Sequence, residues 1–313
     1  MHGLTGTLDP AITALPGKFC AAVSGGPDSL ALLILAQAAF GARVCALTVD
    51  HGLRSESAAE AATVARVCAD RGIPHAILRW AGDKPAANLQ AAARTARYDL
   101  MRDWCAANSV AWLATAHHAD DQAETLLMRL ARGSGSGGLT GIRARRDLGR
   151  GVTLLRPLLG VRRAELAEIV AAAGLTALDD PSNHNPRFDR TQARTLLAAT
   201  PWLNPVRLAA GAGHLAEAEA ALDWTANLSW DSRTEQEGEV LSVDASGLPQ
   251  ELRRRLLGRA LATFGHDADG PESVRFMARL DAGGSATLGA ILGQGGDRWT
   301  FRRAPPPRKH HVR

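Results

Sequence analysis

Residues 18–40 read "KFCAAVSGGPDSLALLILAQAAF", and this stretch decides the fold. The run Lys18 to Ser24 suits a short buried strand, while Leu30 to Phe40 is apolar over a length that suits a helix. Between them stands "SGGPDS", small residues with proline and aspartate. A strand, a tight turn and a helix open a parallel α/β sheet. The turn leaves backbone N–H groups pointing outward at a helix N-terminus, where unsatisfied donors and the helix dipole together favour anions. Glycine lets phosphate oxygens approach the backbone, so the turn reads as a phosphate loop. It lacks the lysine of G-x-x-x-x-G-K-[ST] and does not match G-x-G-x-x-G. Asp28 inside such a loop would repel a phosphate unless a cation intervened, which points to Mg²⁺. The plainer alternative is a Gly-Gly helix start capped by Ser or Asp.

Outward from the loop, strands and helices keep alternating. "ARVCALTVD" (Ala42 to Asp50) is a second strand. Ser57 with Glu60 reads as a capping box for the next helix, which Gly72 and Pro74 end. "HAILRW" (His75 to Trp80) is a third strand, Asn88 caps a helix running to about Ala107, and "VAWLATA" (Val110 to Ala116) is a fourth strand. "ADDQAETLLMRLAR" follows as a helix that stops at Gly133. "GSGSGGLTG" (Gly133 to Gly141) is too glycine-rich for a regular element. Directly behind a candidate site helix, it is expected to close over a ligand rather than to serve as a free linker. "RAELAEIVAAAG" (Arg163 to Gly174) is amphipathic and helical. Past Pro205 the pattern becomes helices rich in Ala and Glu, then strand, loop and helix. A domain boundary is therefore expected near Trp202 to Arg207, dividing 1–204 from 205–313. The end, "RWTFRRAPPPRKHHVR", is a strand followed by a basic, proline-rich tail.

With 313 residues, 46% hydrophobic and 22% charged, the chain has enough apolar matter for a sizeable core and about two domains. Nothing reads as a signal peptide, and no run reaches the ~18 apolar residues of a membrane span, so a cytoplasmic protein is expected. The net charge is +4, and lysine occurs only at Lys18, Lys84 and Lys309. Arginine suits bidentate phosphate contacts, although a general compositional bias produces the same excess. Cys20, Cys45, Cys68 and Cys105 are far apart and form no Cys-x-x-Cys, which argues for buried reduced thiols rather than a zinc or iron–sulfur site.

"SGGPDS" resembles the PP-loop of the N-type ATP pyrophosphatases, which cleave ATP between the α and β phosphates. Four further motifs narrow the resemblance: "TVDHGLR" (48–54), "NLQAAARTARYDLM" (88–101), "TAHHADDQAETLLMRLARGSGSGGL" (115–139), and "LRPLLGVRRAEL" (155–166) with "DDPSN" (179–183). Together, in this order, they resemble the tRNA(Ile)-lysidine synthetase family over roughly the first two hundred residues. The resemblance implies an α/β fold: a parallel-sheet PP-loop ATP pyrophosphatase domain of the adenine nucleotide alpha hydrolase type, a helical linker, and a smaller C-terminal α+β domain that grips tRNA. It also implies a ligase. With ATP and Mg²⁺ such an enzyme adenylates C2 of the wobble cytidine in the CAU-anticodon isoleucine tRNA and joins it to the ε-amine of free L-lysine, releasing AMP and pyrophosphate. The implied partners are that tRNA and lysine, with no membrane; the oligomeric state stays open, a homodimer included.

The candidate site residues follow. Ser24, Gly25, Gly26, Pro27, Asp28 and Ser29 would hold ATP, with Asp50 and His51 at the second strand's end, where ligands collect in open sheets. Asp28, His117, Asp120, Asp121, Glu124 and Arg194 are the catalytic candidates, and Asp28 and Asp120 the metal candidates. Asp120 and Glu124, four apart, share a helical face, and Asp121 points elsewhere. All three acids also suit a helix N-terminus without any further role, an explanation weakest for Glu124. Arg94, Arg97, Arg129, Arg132 and Arg190 are candidates for tRNA phosphate, against the alternative of a solvated basic face. "DRTQARTLL" departs from the residues expected between Arg190 and Arg194, which leaves their roles open. Competing readings are a PP-loop tRNA thiolase, which the missing cysteine pair disfavours, and an amidotransferase, for which no glutaminase segment is visible. An inactive RNA-binding module is the third, and the retained loop and acidic cluster argue against it.

Overall fold

The computed structural model describes residues 10–53, 55–82, 84–85, 87–178, 189–267 and 270–305. The "DDPSN" motif, Arg54 and the basic tail beyond 305 lie outside them. Two compact units, Met1–Ala216 and Glu217–Arg313, make up the chain. The division falls within a single helix that begins at Pro205, so the change of sequence pattern there marks the helix start.

In the first unit, after a short helix α1 (Pro10–Thr13), β1 (Phe19–Ala22), β2 (Val44–Asp50), β3 (His75–Arg79), β4 (Trp112–Ala114) and β6 (Thr153–Leu155) run parallel, and β5 (Arg145–Asp147) adds an antiparallel edge. The order is β3-β2-β1-β4-β6-β5. Alternation along the strands builds two cores. Phe19, Ala21, Val44, Ala46, Ala114 and Leu155 face one way, against α2 (Pro27–Phe40) and α7 (Arg163–Ala172). Cys20, Cys45, Leu47, Leu113 and Leu154 face the other, against Tyr98, Met101 and Cys105 of α4 (Leu89–Ala107). Every residue from Ser29 to Ala36 is buried, which explains why this helix reads apolar on all sides. All four cysteines are buried and free, and burial pushes the Cys68 thiol up to about 11.

Several local expectations are revised. α3 (Ser57–Asp70) takes Glu56, not Ser57, at its cap position, and the Ser57 hydroxyl donates instead to Asp50 Oδ1 at 2.8 Å. Asn88 precedes α4 in a left-handed conformation with no side-chain cap bond. The glycine-rich stretch after α5 (Ala119–Ala131) contains a short helix, α6 (Ser136–Leu139), and is pinned to α5 rather than irregular. Arg129 Nη1 donates to the carbonyls of Gly138 and Gly141 at 2.6 and 2.8 Å. The Gln122 amide donates to Ile142 O and accepts from Ile142 N–H. α8 (Asp189–Ala199) packs on α5, and α9 (Pro205–Arg233) is one helix where several were expected.

The second unit is an antiparallel sheet of β7 (Thr234–Glu237), β8 (Val240–Val243), β9 (Ser285–Leu288), β10 (Ile291–Gln294) and β11 (Trp299–Arg303), in the order β7-β8-β11-β10-β9. Leu241, Val243, Ile291, Trp299 and Phe301 bury one face, against Leu256, Leu257 and Leu261 of α10 (Gln250–Thr263) and Phe276 and Leu280 of α11 (Pro271–Asp281). No described helix is long and apolar enough to cross a membrane.

Candidate active site

β1 sits where the strand order reverses, so the loops after β1 and β4 face each other across the crevice at the carboxyl ends of the strands. The loop after β1 is SGGPDS. Its Ser24 N–H donates to Ser29 Oγ at 3.1 Å, and Ser29 Oγ donates to Gly26 O at 2.9 Å, which folds the turn onto the first turn of α2. Pro27 opens that helix with its fixed φ, Asp28 lies in the first turn, and the early N–H groups have no helical partner. Gly25 adopts φ 89°, and a Cβ there would stand 2.5 Å from Leu178 Cδ1. Leu178 N–H donates to Gly25 O at 2.9 Å, so the loop is latched from above.

The opposite wall is the start of α5. His118 closes a capping box: its Nδ1 accepts from Asp121 N–H, and the Asp121 carboxylate accepts from His118 N–H at 3.1 Å. Its Nε2 stands 3.5 Å from Asp28 Oδ2 and 3.5 Å from Asp121 Oδ2. Burial works against protonation of this imidazole, yet Asp28 above all, with Asp121 and Asp120, holds it above the ordinary histidine range. Asp28 Oδ1 is buried and has no hydrogen-bond partner among the described residues.

Asp120, paired with Asp28 as a metal candidate from sequence, has both oxygens engaged elsewhere. Arg162 Nε donates to both at 3.2 Å, and Arg163 N–H donates to Oδ2 at 2.9 Å. Burial raises this carboxyl, but those donors keep it below the usual range. Asp121 is therefore the acid that faces Asp28 across His118. Glu124 does not join Asp120 either. It is 1% exposed and meets α8, with Arg194 Nε 2.9 Å from Oε1 and Arg190 Nε 3.3 Å from Oε2. Burial pushes Glu124 up against the pull of Arg194. Arg194 is desolvated too, but Glu124, Asp121 and Asp28 keep its guanidinium above its ordinary value. No cluster of three His, Cys, Asp or Glu suited to a metal occurs among the described residues.

His117 meets Thr115 Oγ1 through Nδ1 at 3.0 Å and feels the Asp121 charge without bonding to it. It accompanies Arg94, Arg129, Arg132 and Arg190 in a cavity of about 230 Å³, and burial drives it down to about 4. Arg97 stands apart: its Nε donates to His51 Nε2 at 3.2 Å, which requires a neutral imidazole. Burial and Arg97 hold His51 below its ordinary value, and its Nδ1 is buried without a partner among the described residues. Asp50 accepts from Ser57 and from Gly52 N–H, and these bonds depress its pKa.

Gln122, Arg162 and Tyr98 are the residues that reading the sequence did not assign. Arg162 carried no signal, because its partner Asp120 is long-range, and Tyr98 meets Arg146 and Arg156 only through the fold.

Residues 9–200 match the model of a PP-loop domain. A tRNA(Ile)-lysidine synthase from Zymomonas mobilis is 48% identical over 300 residues, covering 94% of this chain and 91% of that protein. One from Novosphingobium aromaticivorans is 48% identical, covering 96% and 92%, and one from Ruegeria pomeroyi is 44% identical, covering 90% and 70%. The fold is also that of the solved U34-tRNA thiolase NcsA from Methanococcus maripaludis, with TM-score 0.57 at 17% identity over 68% of this chain and 77% of that one. A phosphate loop facing a His–x–Asp–Asp–Gln–x–Glu helix, with identity of this depth along nearly the whole length, has one meaning: the chain belongs to the tRNA(Ile)-lysidine synthase family of PP-loop proteins.

Proposed function

We propose that this chain uses ATP to adenylate C2 of the wobble cytidine in the CAU-anticodon isoleucine tRNA and then joins that carbon to the ε-amine of free L-lysine, with release of AMP and pyrophosphate. The observation that carries the reading is the meeting, in one crevice, of the SGGPDS loop with the His118, Asp121 and Glu124 face of α5. The C2 oxygen is a poor leaving group, and its transfer to the α-phosphate makes it a good one. Ser24 to Ser29 and the open N–H groups of α2 receive the phosphates. Neutral His51 and its unspent Nδ1 suit the adenosine side.

Asp28 Oδ1 is a buried hard donor without a partner among the described residues, and Asp121 faces it across His118, so the residues present fit one Mg²⁺ whose other ligands are phosphate and water. When bound, that ion would neutralise phosphate charge as the α-phosphate is attacked. The carboxylates of Asp121 and Glu124 provide negative charge for the lysine ammonium, and Arg194 orients Glu124. One carboxylate near the ammonium accepts the proton that must leave before nitrogen attacks. The arginine-lined cavity suits anticodon phosphate, and the second unit is assigned to holding the tRNA body.

The test is incubation of purified protein with ATP, radiolabelled lysine and the CAU-anticodon isoleucine transcript. Lysine attached to the tRNA, with one AMP released per transfer, is expected. ATP cleavage that neither requires lysine nor transfers it would overturn the reading.

A further inference from the structure

Tyr98 is the only tyrosine in the chain, and three arginines converge on it. The guanidinium carbon of Arg94, from its own helix, stands 5.3 Å from the ring centroid. That of Arg146, from the edge strand β5, stands 5.9 Å from the same centroid. Arg156, only 6% exposed, lies near enough to Tyr98 to interact with it electrostatically and donates from Nη1 to Arg143 O at 2.5 Å, while its Nε has no partner among the described residues. None of the three has a carboxylate within ion-pair distance among the described residues. Acids are not scarce: the chain carries 32 Asp and Glu against 36 Lys and Arg. Arg156 is a buried guanidinium without a counter-charge, which costs stability unless an anion comes near, while Arg94 and Arg146 are exposed and open to one. Burial lowers the pKa of Arg156, and the neighbouring Arg94 and Arg146 lower it further.

The remaining pocket arginines are already committed. Arg129 holds the Gly138 and Gly141 carbonyls, Arg132 pairs with Asp189, and Arg190 pairs with Glu124. Arg94 is thus the cavity's uncommitted cation among the described residues, and Arg146 extends the positive strip to the exposed sheet edge. Arg145, its neighbour on β5, lies over Trp112 and so takes the opposite side of the strand. Tyr98 itself is 8% exposed, too covered to stack on a base.

We propose that Arg94 and Arg146, positioned by the Tyr98 ring with Arg156 behind it, form a site for the phosphodiester backbone of an RNA strand entering the cavity. This rests on the proposed reaction, whose second anionic substrate is RNA, the nucleotide phosphates being taken by the loop before α2. Arg94 and Arg146 touch the strand, whereas Tyr98 and Arg156 act through them.

The experiment is equilibrium binding of the isoleucine transcript over a salt series to the full-length protein and to Arg94→Ala, Arg146→Ala, their double variant, and Arg145→Ala. Each lost phosphate contact lowers the slope of log K against log salt by about 0.7 to 0.9. The expected result is one such step for Arg94→Ala and for Arg146→Ala, about two for the pair, and none for Arg145→Ala. Tyr98→Phe, which keeps the ring, is expected to keep the slope. An unchanged slope in the double variant would overturn the site, as would an equal fall in Arg145→Ala, which would mean only diffuse edge charge. Binding is read without catalysis, so the two proposals fail separately. If the parent protein binds the tRNA with the full slope but transfers no lysine, the reaction falls and the site stands. An active parent with an unaffected double variant does the reverse.

Discussion

His118 Nε2 lies 3.5 Å from Asp28 Oδ2, so the imidazole that caps α5 also bridges to the phosphate loop. Replacement by Asn, itself a good N-cap, separates these roles. His118→Asn should preserve the helix start and the far-UV spectrum while lysine transfer falls about 10²-fold, a loss of the size seen when one aimed electrostatic group is removed. Parent-like turnover in a stopped assay would show that the histidine only caps.

Asp28→Asn should retain the fold and lose ATP-dependent adenylation by at least about 10²-fold, because the buried Oδ1 is the donor that suits a cation. AMP release at saturating Mg²⁺ and ATP measures it, and near-normal release would move the metal role elsewhere.

Glu124 is almost wholly buried, and Arg194 is its nearer cation. Arg194→Met should destabilise the first unit by about 3 kcal/mol, since a buried charge then loses its main partner. Denaturant unfolding monitors this. The KM for lysine should rise in the same variant, an effect that packing loss alone would not produce.

A Cβ on Gly141 would stand 2.3 Å from Gln122 Oε1, at a φ of 67°. Gly141→Ala should therefore cost roughly 1–3 kcal/mol and loosen the segment that Gln122 and Arg129 pin. Limited proteolysis between Gly133 and Ile142 should accelerate relative to the parent.

His117 is held near 4 by burial, against about 6.5 unfolded. The unfolded chain then binds the extra proton between these values, so stability rises with pH across that window and is fully present above about 6.5. On acidification the loss amounts to roughly 3 kcal/mol by pH 4. His117→Gln should remove that slope from urea melts between pH 4.5 and 6.5, and an unaltered slope would place the titration elsewhere.

What could be read in advance was whatever depends on neighbours in sequence. The SGGPDS turn, the strand alternation that separates Phe19 and Ala21 from Cys20, and the capping geometry around His118 are all local. β5 escaped notice because Arg145, Arg146 and Asp147 are all exposed and give no apolar alternation. The separate allegiances of Asp120, Asp121 and Glu124 depend on what lies opposite each one. Arg162, Arg194 and Asp28 come from distant parts of the chain, and spacing on a helix fixes directions without naming the occupant of each direction.

The apolar surround of α2 has a kinetic consequence. With Ser29 to Ala36 all buried, the hydrogen-bonded amides past its first turn can exchange with solvent only when the whole first unit opens. α8 has a single buried residue, Ala193, and can fray by itself. Deuterium should therefore enter the helix bearing Arg190 and Arg194 long before it reaches the one bearing Asp28. The protein keeps its phosphate-side acid on the slowest-opening element and its lysine-side arginines on a fast one.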